Sequence, residues 1–394
     1  MRSRHAIALA AATLLAGSAH ALDWNGYFRA GPGATTTKGA SRACYGLPAE
    51  GLKYRLGNEC DIYGEFQLSQ DFKADGIDYK AVLMTDFWNG ASDLSGDDST
   101  HNRLRIEQLY VEGKGFDFAP GATFWIGKER GRRGDVHIVD TFFTQMRGVG
   151  GGVKGIEAGP GKLAVAFYGG DTDSGDTAGA RRVNVEYYDI AANPGGKLAF
   201  IGTLTDSDVG GKGTALSVRH TQDGLLGGGN SLWLQFAQGS AGLNSNYGNL
   251  AADSRTKSWR IVDGFNWQQG PFGGQAFALW GQQRSPDAIT GEILKQTDTS
   301  LGGRISYALT KNFKLLAELG HSEIKPEGQE TQKLTKFTFA PTLSTGPGFW
   351  NRPELRLYVT HAKWNAAAGN VTGKAAFDGK TSGTSYGAQV EIWY

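Results

Sequence analysis

Aromatic and charged residues that share one face of alternating segments are the residues in this sequence that could bind a solute. Tyr27, Tyr63 and Trp393 each fall on the polar side of a segment in which apolar and polar residues alternate. Aromatic rings stack on the apolar faces of sugar rings, and Arg29 and Glu65, which share this parity, could hydrogen-bond the hydroxyls. The pattern predicts a carbohydrate path. With a register shift of one residue, the same rings would face outward as an aromatic belt.

Alternation with a period of two predicts the strands that must position these side chains. From Tyr386 to Tyr394 every second residue is apolar, and the polar residues lie between them. Residues 24–30, 61–70 and 354–359 repeat this scheme. A strand directs successive side chains to opposite faces, so each segment has one apolar face and one wet face. The outward set predicted for 61–70 is Ile62, Phe66 and Leu68, and weaker strand-like segments are 183–189, 232–236, 276–281, 301–308 and 314–319.

The composition favours many strands joined by tight turns. The 394 residues include 59 glycines, 20 Phe, 14 Tyr and 10 Trp, but only 11 prolines. After residue 21 no apolar segment is long enough for a transmembrane helix, and the net charge of +1 does not indicate nucleic-acid binding. Turn signals lie at 193–196, 227–230, 270–271 and 346–348. We predict an all-β fold, a transmembrane antiparallel β-barrel of roughly 16 to 18 strands; a soluble β-sandwich or lectin would alternate in the same way.

The N-terminus has the three parts of a secretory signal peptide. A basic start precedes an apolar run, Ala6–Ala16, and a small-residue ending at Ala21. Cleavage there leaves one predicted domain, residues 22–394, and an amphipathic first helix is the alternative. Cys44 and Cys60 are the two cysteines, and we predict that they form a disulfide in an oxidising compartment.

One segment is too charged for a lipid-facing strand. Residues 128–135 read Lys-Glu-Arg-Gly-Arg-Arg-Gly-Asp, and they are followed by the aromatic pair Phe142-Phe143 and the glycines of 148–152. Such a segment could fold into a barrel and narrow it, or it could form an exposed outer loop.

An enzymatic interpretation of the same residues has less support. Glu65, Asp135 and Asp140 could form a carboxylate pair for glycoside hydrolysis, and His137 or His220 could activate a serine. Neither hypothesis comes with a nucleophile elbow or a metal-ligand spacing. We therefore predict no catalytic activity, no cofactor and no metal.

Several separate stretches make the sequence similar to the maltoporins, which are trimeric sugar-specific porins of Gram-negative outer membranes. In chain order they are Gly26–Arg29, Lys53–Cys60, Trp125–Lys128, Asp135–Asp140, Asn193–Gly196, His220–Gln222, Trp350–Pro353, Ala362–Trp364 and Glu391–Tyr394. The resemblance implies an 18-stranded barrel in outer-membrane lipid, an inward-folded third loop, a homotrimer, and passive diffusion of maltose, maltodextrins or related oligosaccharides. The alternatives are a general diffusion porin without a sugar site, and a secreted β-rich carbohydrate-binding protein or glycosidase.

The resemblance also implies roles for individual residues. The sugar-stacking aromatic slide of the family would consist of Tyr27, Tyr63, Phe142, Trp350 and Trp393. The flanking track of polar residues would consist of Arg29, Arg55, Glu65, Arg133, Asp135 and Asp140. Cys44 and Cys60 match the first-loop disulfide of the family.

Four positions depart from the family pattern. Phe142 stands where a tyrosine is expected, and the position of one slide phenylalanine falls in Gly227–Gly229. No tryptophan matches the one that a neighbouring subunit lends through its second loop, because Trp88 lies too early in the chain. Glu107 stands at the position of a track arginine, although Arg105 is close by. These departures predict that sucrose, another disaccharide or a broader range of sugars could be accepted.

Overall fold

The computed structural model describes residues 22–37, 42–47, 52–90, 102–169, 179–368, 377 and 379–394, and the predicted signal peptide lies outside these residues. The strands are β1 (Asp23–Ala30), β2 (Gly33–Thr35), β3 (Ile62–Ala74), β4 (Ile77–Asn89), β5 (Asn102–Phe116), β6 (Ala119–Val136), β7 (Thr141–Ala158), β8 (Gly161–Gly169), β9 (Arg181–Asn193), β10 (Gly196–Asp206), β11 (Gly213–Leu225), β12 (Gly228–Gln238), β13 (Lys257–Gln269), β14 (Phe272–Pro286), β15 (Ile293–Ala308), β16 (Phe313–Pro326), β17 (Gln332–Ser344), β18 (Glu354–Trp364) and β19 (Ser382–Trp393). A short 3-10 turn, His137–Val139, separates β6 from β7. Within the described ranges, no helix has the length and apolar character needed to cross a membrane.

The sheet closes on itself through β1. On one side β1 pairs with β19, where Tyr27 lies opposite Trp393, and on the other side it pairs with β3, where Tyr27 lies opposite Glu65. The short β2 continues β1 along the edge of β19, with Gly33 opposite Gly387. Because β1 and β2 share one position, the 19 strands form a closed antiparallel barrel with 18 positions, which confirms the predicted fold.

Side chains alternate between the outer and inner faces of the barrel, as the period of two predicted. In β18 the outward Leu355, Leu357 and Val359 are 55%, 63% and 52% exposed. The inward Glu354 and Arg356 are each 1% exposed. A closed sheet leaves no unpaired backbone edge in lipid, and the apolar outer side chains suit the hydrocarbon region.

One residue of the predicted outward set is buried instead of exposed. Ile62 was expected on the outer face with Phe66 and Leu68, but it is 5% exposed, whereas the other two are 42% and 38% exposed. Ile62 is the first residue of β3, where the chain has just left the folded segment that ends at Cys60. The exposed part of the outward row of β3 therefore begins only after this residue.

Short turns lie at one end of the barrel, and longer connections lie at the other. The four predicted turn signals all fall at connections of the first end. Aromatic rings cluster there: Phe72 stacks on Tyr79 at 5.3 Å, Phe265 stacks on Trp267 at 5.6 Å, and Trp24 meets Tyr394 edge-on at 5.5 Å. Such a belt and such short turns are typical of the periplasmic end of an outer-membrane barrel.

The tip of the β6–β7 hairpin turns into the barrel. The ladder between these strands has register breaks at 130–133 and 134–135, and breaks of this kind bend a strand pair. Beyond them the ring of Phe143 lies 5.5 Å from that of Trp233 and 5.7 Å from that of Phe277 on the inner wall. The charged segment is therefore mostly strand, and of the two alternatives the inward constriction is the correct one.

A second segment, residues 52–60, also lies inside the barrel; of its residues only Arg55 was expected at the pore, from the family resemblance. The backbone N–H of Lys53 donates to the carbonyl of Val139 (3.2 Å). The N–H of Arg55 donates to the carbonyl of Ile138 (2.8 Å). The segment is thus attached by backbone hydrogen bonds to the 3-10 turn at the tip of the β6–β7 hairpin.

The other side of this segment rests on the inner wall. Tyr54 packs over Gly302 and Gly320, where the absence of a Cβ leaves room for the ring, and its hydroxyl lies 2.7 Å from Ser300 Oγ. One buried apolar cluster joins both inward segments to the wall: Leu52, Tyr54, Val136, Ile138, Val139, Phe143, Trp233, Val262, Phe277, Leu279 and Phe349. A barrel of this width would otherwise hold a broad aqueous channel, so the two segments narrow it.

A charge on the lipid-facing side of β18 is expected to destabilise the barrel. Leu357→Lys places an ammonium group in the middle of the outward apolar row Leu355, Leu357 and Val359, and the unfolding free energy should fall by ~2–4 kcal/mol. Urea unfolding in lipid vesicles, followed by tryptophan fluorescence, measures the change. Ile289→Lys, at a position 94% exposed outside the strands, is the control. Equal effects of the two variants would contradict the assignment of the outer face.

Candidate solute-binding site

Strands at the barrel closure and the two inward segments enclose a cavity of about 420 Å³. Its lining consists of Tyr27, Arg29, Arg55, Tyr63, Glu65, Arg105, Arg130, Arg133, Asp135, His137, Asp140, Phe142, Gln145, Arg147 and Trp393. The lining includes every residue predicted for the polar track and every predicted slide residue except Trp350. Folding thus brings residues from the first 147 positions together with Trp393 of the last strand.

Three aromatic residues of the cavity lie on β1, β3 and β19, the strands that meet where the barrel closes. The Tyr27 ring lies 6.1 Å from that of Tyr63 on β3, and Tyr27 is the cross-strand partner of Trp393 on β19. The ring of Trp393 lies 6.3 Å from that of Trp350. Trp350 lies outside the cavity, in the β17–β18 connection, and is 39% exposed. The four aromatic residues form a row that leads from the cavity to the periplasmic end.

Phe142 enters the cavity from the start of β7, at the inward tip of the β6–β7 hairpin. The Arg133 guanidinium lies 4.2 Å from the centre of its ring, an arrangement that favours a cation–π contact. Arg133 and Asp135 are exposed within the lumen. Arg133 forms no ion pair with the other described residues, so its guanidinium is available to a solute.

Arg29 connects β1 to both inward segments. Its guanidinium pairs with Glu59 (2.9 Å), Asp61 (2.8 Å) and Asp140 (3.1 Å). It also lies 5.2 Å from the centre of the Tyr63 ring. The three acids therefore hold the guanidinium in place beside this ring.

Arg55 makes a second set of ion pairs beside the first. Its guanidinium pairs with Glu59 (2.6 Å), Glu391 (3.2 Å) and Asp140 (3.6 Å), and it donates a hydrogen bond to the Tyr27 hydroxyl. Burial by itself raises the pKa of Asp140, but Arg55 and the other cations around it lower that pKa well below its usual range. The carboxylate therefore remains charged at any pH at which the barrel is expected to function.

Several lining residues were missed by the sequence reasoning. Arg130 pairs with Glu65 (2.7 Å) and Glu107 (3.1 Å), and Arg147 lies 3.5 Å from Glu107. Their inward parity was hidden because β6 and β7 lose register near Arg130. The density of arginines in 128–135 was the available signal, but it does not say which of them face the lumen.

The departure at Glu107 has a structural explanation. The β4–β5 ladder shifts register between Met84 and Thr85, and Arg105 and Glu107 both reach the inner side. Arg105 lines the cavity and pairs with Glu107 at 2.8 Å and with Asp86 at 2.6 Å. An arginine is therefore present in this part of the wall, with Glu107 as its partner.

Two other departures from the family pattern concern aromatic residues that the family would place in the slide. Gly227 belongs to the turn between β11 and β12, and Gly228 and Gly229 begin β12, so these positions offer no ring. Residues 91–101, where a second-loop tryptophan would be expected, lie outside the described residues.

The predicted disulfide is present and holds the first loop. Cys44 and Cys60 are bonded, with their Cα atoms 5.9 Å apart. Within the closed loop, the N–H of Tyr45 donates to Asn58 Oδ1 (2.7 Å), and Asn58 Nδ2 donates to the Tyr45 carbonyl (2.8 Å). These contacts fix the loop immediately before the strand that carries Tyr63.

The groups considered for catalysis occupy different environments. Glu65 pairs with Arg130, and Asp140 pairs with arginines and with Lys53 at 3.0 Å. His220 lies on the lipid-facing side of β11, and its Nε2 atom is 3.0 Å from Asn193 Oδ1. The arrangement is that of fixed charges along a passage.

His137 lies beside the two tryptophans at the periplasmic end of the aromatic row. Its ring is 5.4 Å from that of Trp350 and 5.6 Å from that of Trp393. Arg55 Nη1 lies 3.3 Å from His137 Nδ1, and since a guanidinium can only donate, Nδ1 accepts and the proton lies on Nε2. Nε2 is 3.4 Å from Glu391 Oε1. Burial lowers the pKa of His137 to about 4, although Glu391 acts in the opposite direction.

A closed antiparallel barrel with an apolar outer face and a charged, aromatic-lined cavity defines an outer-membrane channel. Comparison with known families identifies it further: the LamB porin family matches residues 22–394, and the chain belongs to this family. It is therefore a porin of the Gram-negative outer membrane, which it crosses as a multi-pass β-barrel. The chain is also similar to a maltoporin of Hahella chejuensis (strain KCTC 2396), with 28% identity covering 98% of this chain and 95% of that protein.

Solved porin structures share the fold at low sequence identity. A BenF-like porin from Pseudomonas fluorescens Pf-5 is 9% identical with a TM-score of 0.55, covering 95% of this chain and 99% of the other. The outer-membrane protein OpdK from Pseudomonas aeruginosa is 11% identical with a TM-score of 0.52, covering 94% and 99%. At these identities the likeness concerns the barrel alone.

The depressed pKa of His137 predicts a pH-dependent stability. The unfolded chain binds a proton on this residue below its usual pKa of 6.5, whereas the folded chain binds it only below about 4. Stability that is present above pH 6.5 is therefore lost as the pH falls towards 4. Between pH 8 and pH 5 the wild type should lose ~2 kcal/mol more unfolding free energy than His137→Asn. Urea titrations at both pH values measure this difference, and parallel losses would show that His137 is not held neutral.

Proposed function

We propose that this porin is a sugar-selective channel through which maltose, maltodextrins or related oligosaccharides diffuse passively. The observation that carries the proposal is the row of Tyr63, Tyr27, Trp393 and Trp350, which runs beside the charged cavity. The apolar faces of sugar rings stack on aromatic planes, and charged groups form the stronger hydrogen bonds to hydroxyls. The similarity to a maltoporin supports the same class of solute.

The charges of the cavity suit a neutral, hydroxyl-rich solute better than an ion. Cations and anions alternate around the lumen as pairs: Arg29 and Arg55 with Asp140, and Arg130 with Glu65. A paired guanidinium and carboxylate offer a donor and an acceptor side by side, which a sugar with adjacent hydroxyls can use. Each charged group that a sugar contacts is already engaged in an ion pair, so the sugar binds weakly enough to be released, as transport requires.

Replacing single rings of the row should weaken sugar binding and leave the pore open. Trp393→Ala and Trp350→Ala each remove one stacking surface, so the sugar concentration that half-blocks the ion current should rise roughly fivefold, equivalent to about 1 kcal/mol. The open-channel conductance should stay close to that of the wild type. Ion current through single channels in planar bilayers, titrated with maltose, maltotriose, sucrose and cellobiose, measures both quantities.

Trp280→Ala is the matched control for these variants. Trp280 is 51% exposed on the outer side of β14 and meets Trp259 edge-on at 4.8 Å, so its loss removes a ring without touching the lumen. Unchanged block in both row variants would reject the aromatic slide. A wild-type current that no sugar blocks would favour a general diffusion porin.

We also propose that three chains assemble as a homotrimer, the assembly that the family resemblance implies. Native mass spectrometry from mild detergent should give the mass of three mature chains. A monomer mass under conditions that retain the β-barrel circular dichroism spectrum would contradict the proposal.

A further inference from the structure

A second cavity lies beside the disulfide, on the opposite side from the main site. It has a volume of about 320 Å³, and the lining residues that matter for binding are Tyr45, Leu47, Lys53, Asp61 and Trp88. One wall is the disulfide-closed first loop, and the other is the end of β4. The cavity therefore lies at the end of the barrel that carries the long connections.

Trp88 is held as a rigid plane in this cavity. Its indole N–H donates to Asp61 Oδ2 (3.2 Å), and the Arg103 guanidinium lies 5.2 Å from its ring centre. Trp88 is also the cross-strand partner of Tyr63, so both residues point into the lumen from adjacent strands. The ring is thus positioned next to the aromatic row of the main site, towards the outside.

Polar groups of both signs accompany this ring. The Asp61 carboxylate and the Lys53 ammonium line the cavity, with 16% and 38% of their side chains exposed. Tyr45 and Leu47 supply an apolar surface opposite them. An aromatic plane with an apolar wall, one acceptor and one donor matches a neutral ring that has apolar C–H faces and hydroxyl edges.

Ion pairs connect this cavity to the main site. Asp61 pairs with Arg29 at 2.8 Å, and Lys53 pairs with Asp140 at 3.0 Å. Arg29 and Asp140 line the main cavity. The two cavities therefore lie next to each other and are separated by these two ion pairs.

We propose that the cavity beside the Cys44–Cys60 disulfide is an outer subsite for one neutral sugar ring, which stacks on Trp88 and hydrogen-bonds to Asp61 and Lys53. The inference rests on the proposed sugar-channel function and extends it. The outermost stacking residue would be Trp88, which belongs to strand β4 of the same chain. An oligosaccharide long enough to reach from the main site to this subsite gains one additional ring contact. A disaccharide bound in the main site gains none.

The test compares short and long sugars on variants of Trp88. For Trp88→Ala, the concentration of maltohexaose that half-blocks the channel current should rise roughly fivefold, about 1 kcal/mol of binding free energy. The value for maltose should change by less than a factor of about two. Trp88→Phe keeps a stacking plane without the N–H, so it should retain most of the maltohexaose affinity.

Three results would overturn the subsite. Unchanged maltohexaose block in Trp88→Ala would show that no ring stacks there. Equal losses for maltose and maltohexaose would place Trp88 in the main site, and an equal loss in Trp88→Phe and Trp88→Ala would assign the effect to the indole N–H and not to stacking. If the wild type is blocked and Trp393→Ala weakens that block, the proposed function stands whatever the outcome at Trp88. A wild type that neither sugar blocks would remove the basis of both.

Discussion

Arg55 lies where three parts of the chain meet inside the barrel. Only 4% of its side chain is exposed, and its guanidinium pairs with Glu59 (2.6 Å), Glu391 (3.2 Å) and Asp140 (3.6 Å). These acids belong to the inward segment 52–60, to the closing strand β19 and to the end of the β6–β7 connection. Breaking a buried ion pair by removing one partner costs about 3–5 kcal/mol, because the other charge is left without compensation. The three parts are therefore stable inside the lumen only when they are assembled together.

This shared set of charges also explains where the aromatic rings lie. Tyr27 receives a hydrogen bond from Arg55 and donates one to Glu391 (3.1 Å), and the Arg352 guanidinium lies 4.1 Å from the Trp393 ring centre. Each ring at the closure is thus in contact with a charged group that is itself fixed by partners. For the proposed sugar path, the stacking surfaces are in place before a solute arrives, so little ordering entropy is lost on binding.

Much of the barrel wall could be predicted from the sequence, whereas the segments that enter the lumen could not. The inward parity of Arg29, Glu65 and Trp393 followed from a period of two that holds wherever strands are regular. Parity did not identify Arg105 and Arg130, because register shifts lie close to both of them. Residues 52–60 have no periodicity at all, and their composition does not distinguish a loop inside a barrel from one outside it.

The sequence by itself determined the alternation that puts apolar side chains in lipid and polar ones in water, the turns between strands, and the single disulfide. These are local properties: a strand period extends over a few residues, and two cysteines in an oxidised chain have only each other as partners. The tertiary structure alone decided which segments enter the lumen and which acid each arginine pairs with. It also decided that Trp88 lies beside Tyr63, next to the Arg29–Asp61 ion pair. Those outcomes depend on contacts across a closed sheet, between residues far apart in the chain, and no local pattern encodes such distances.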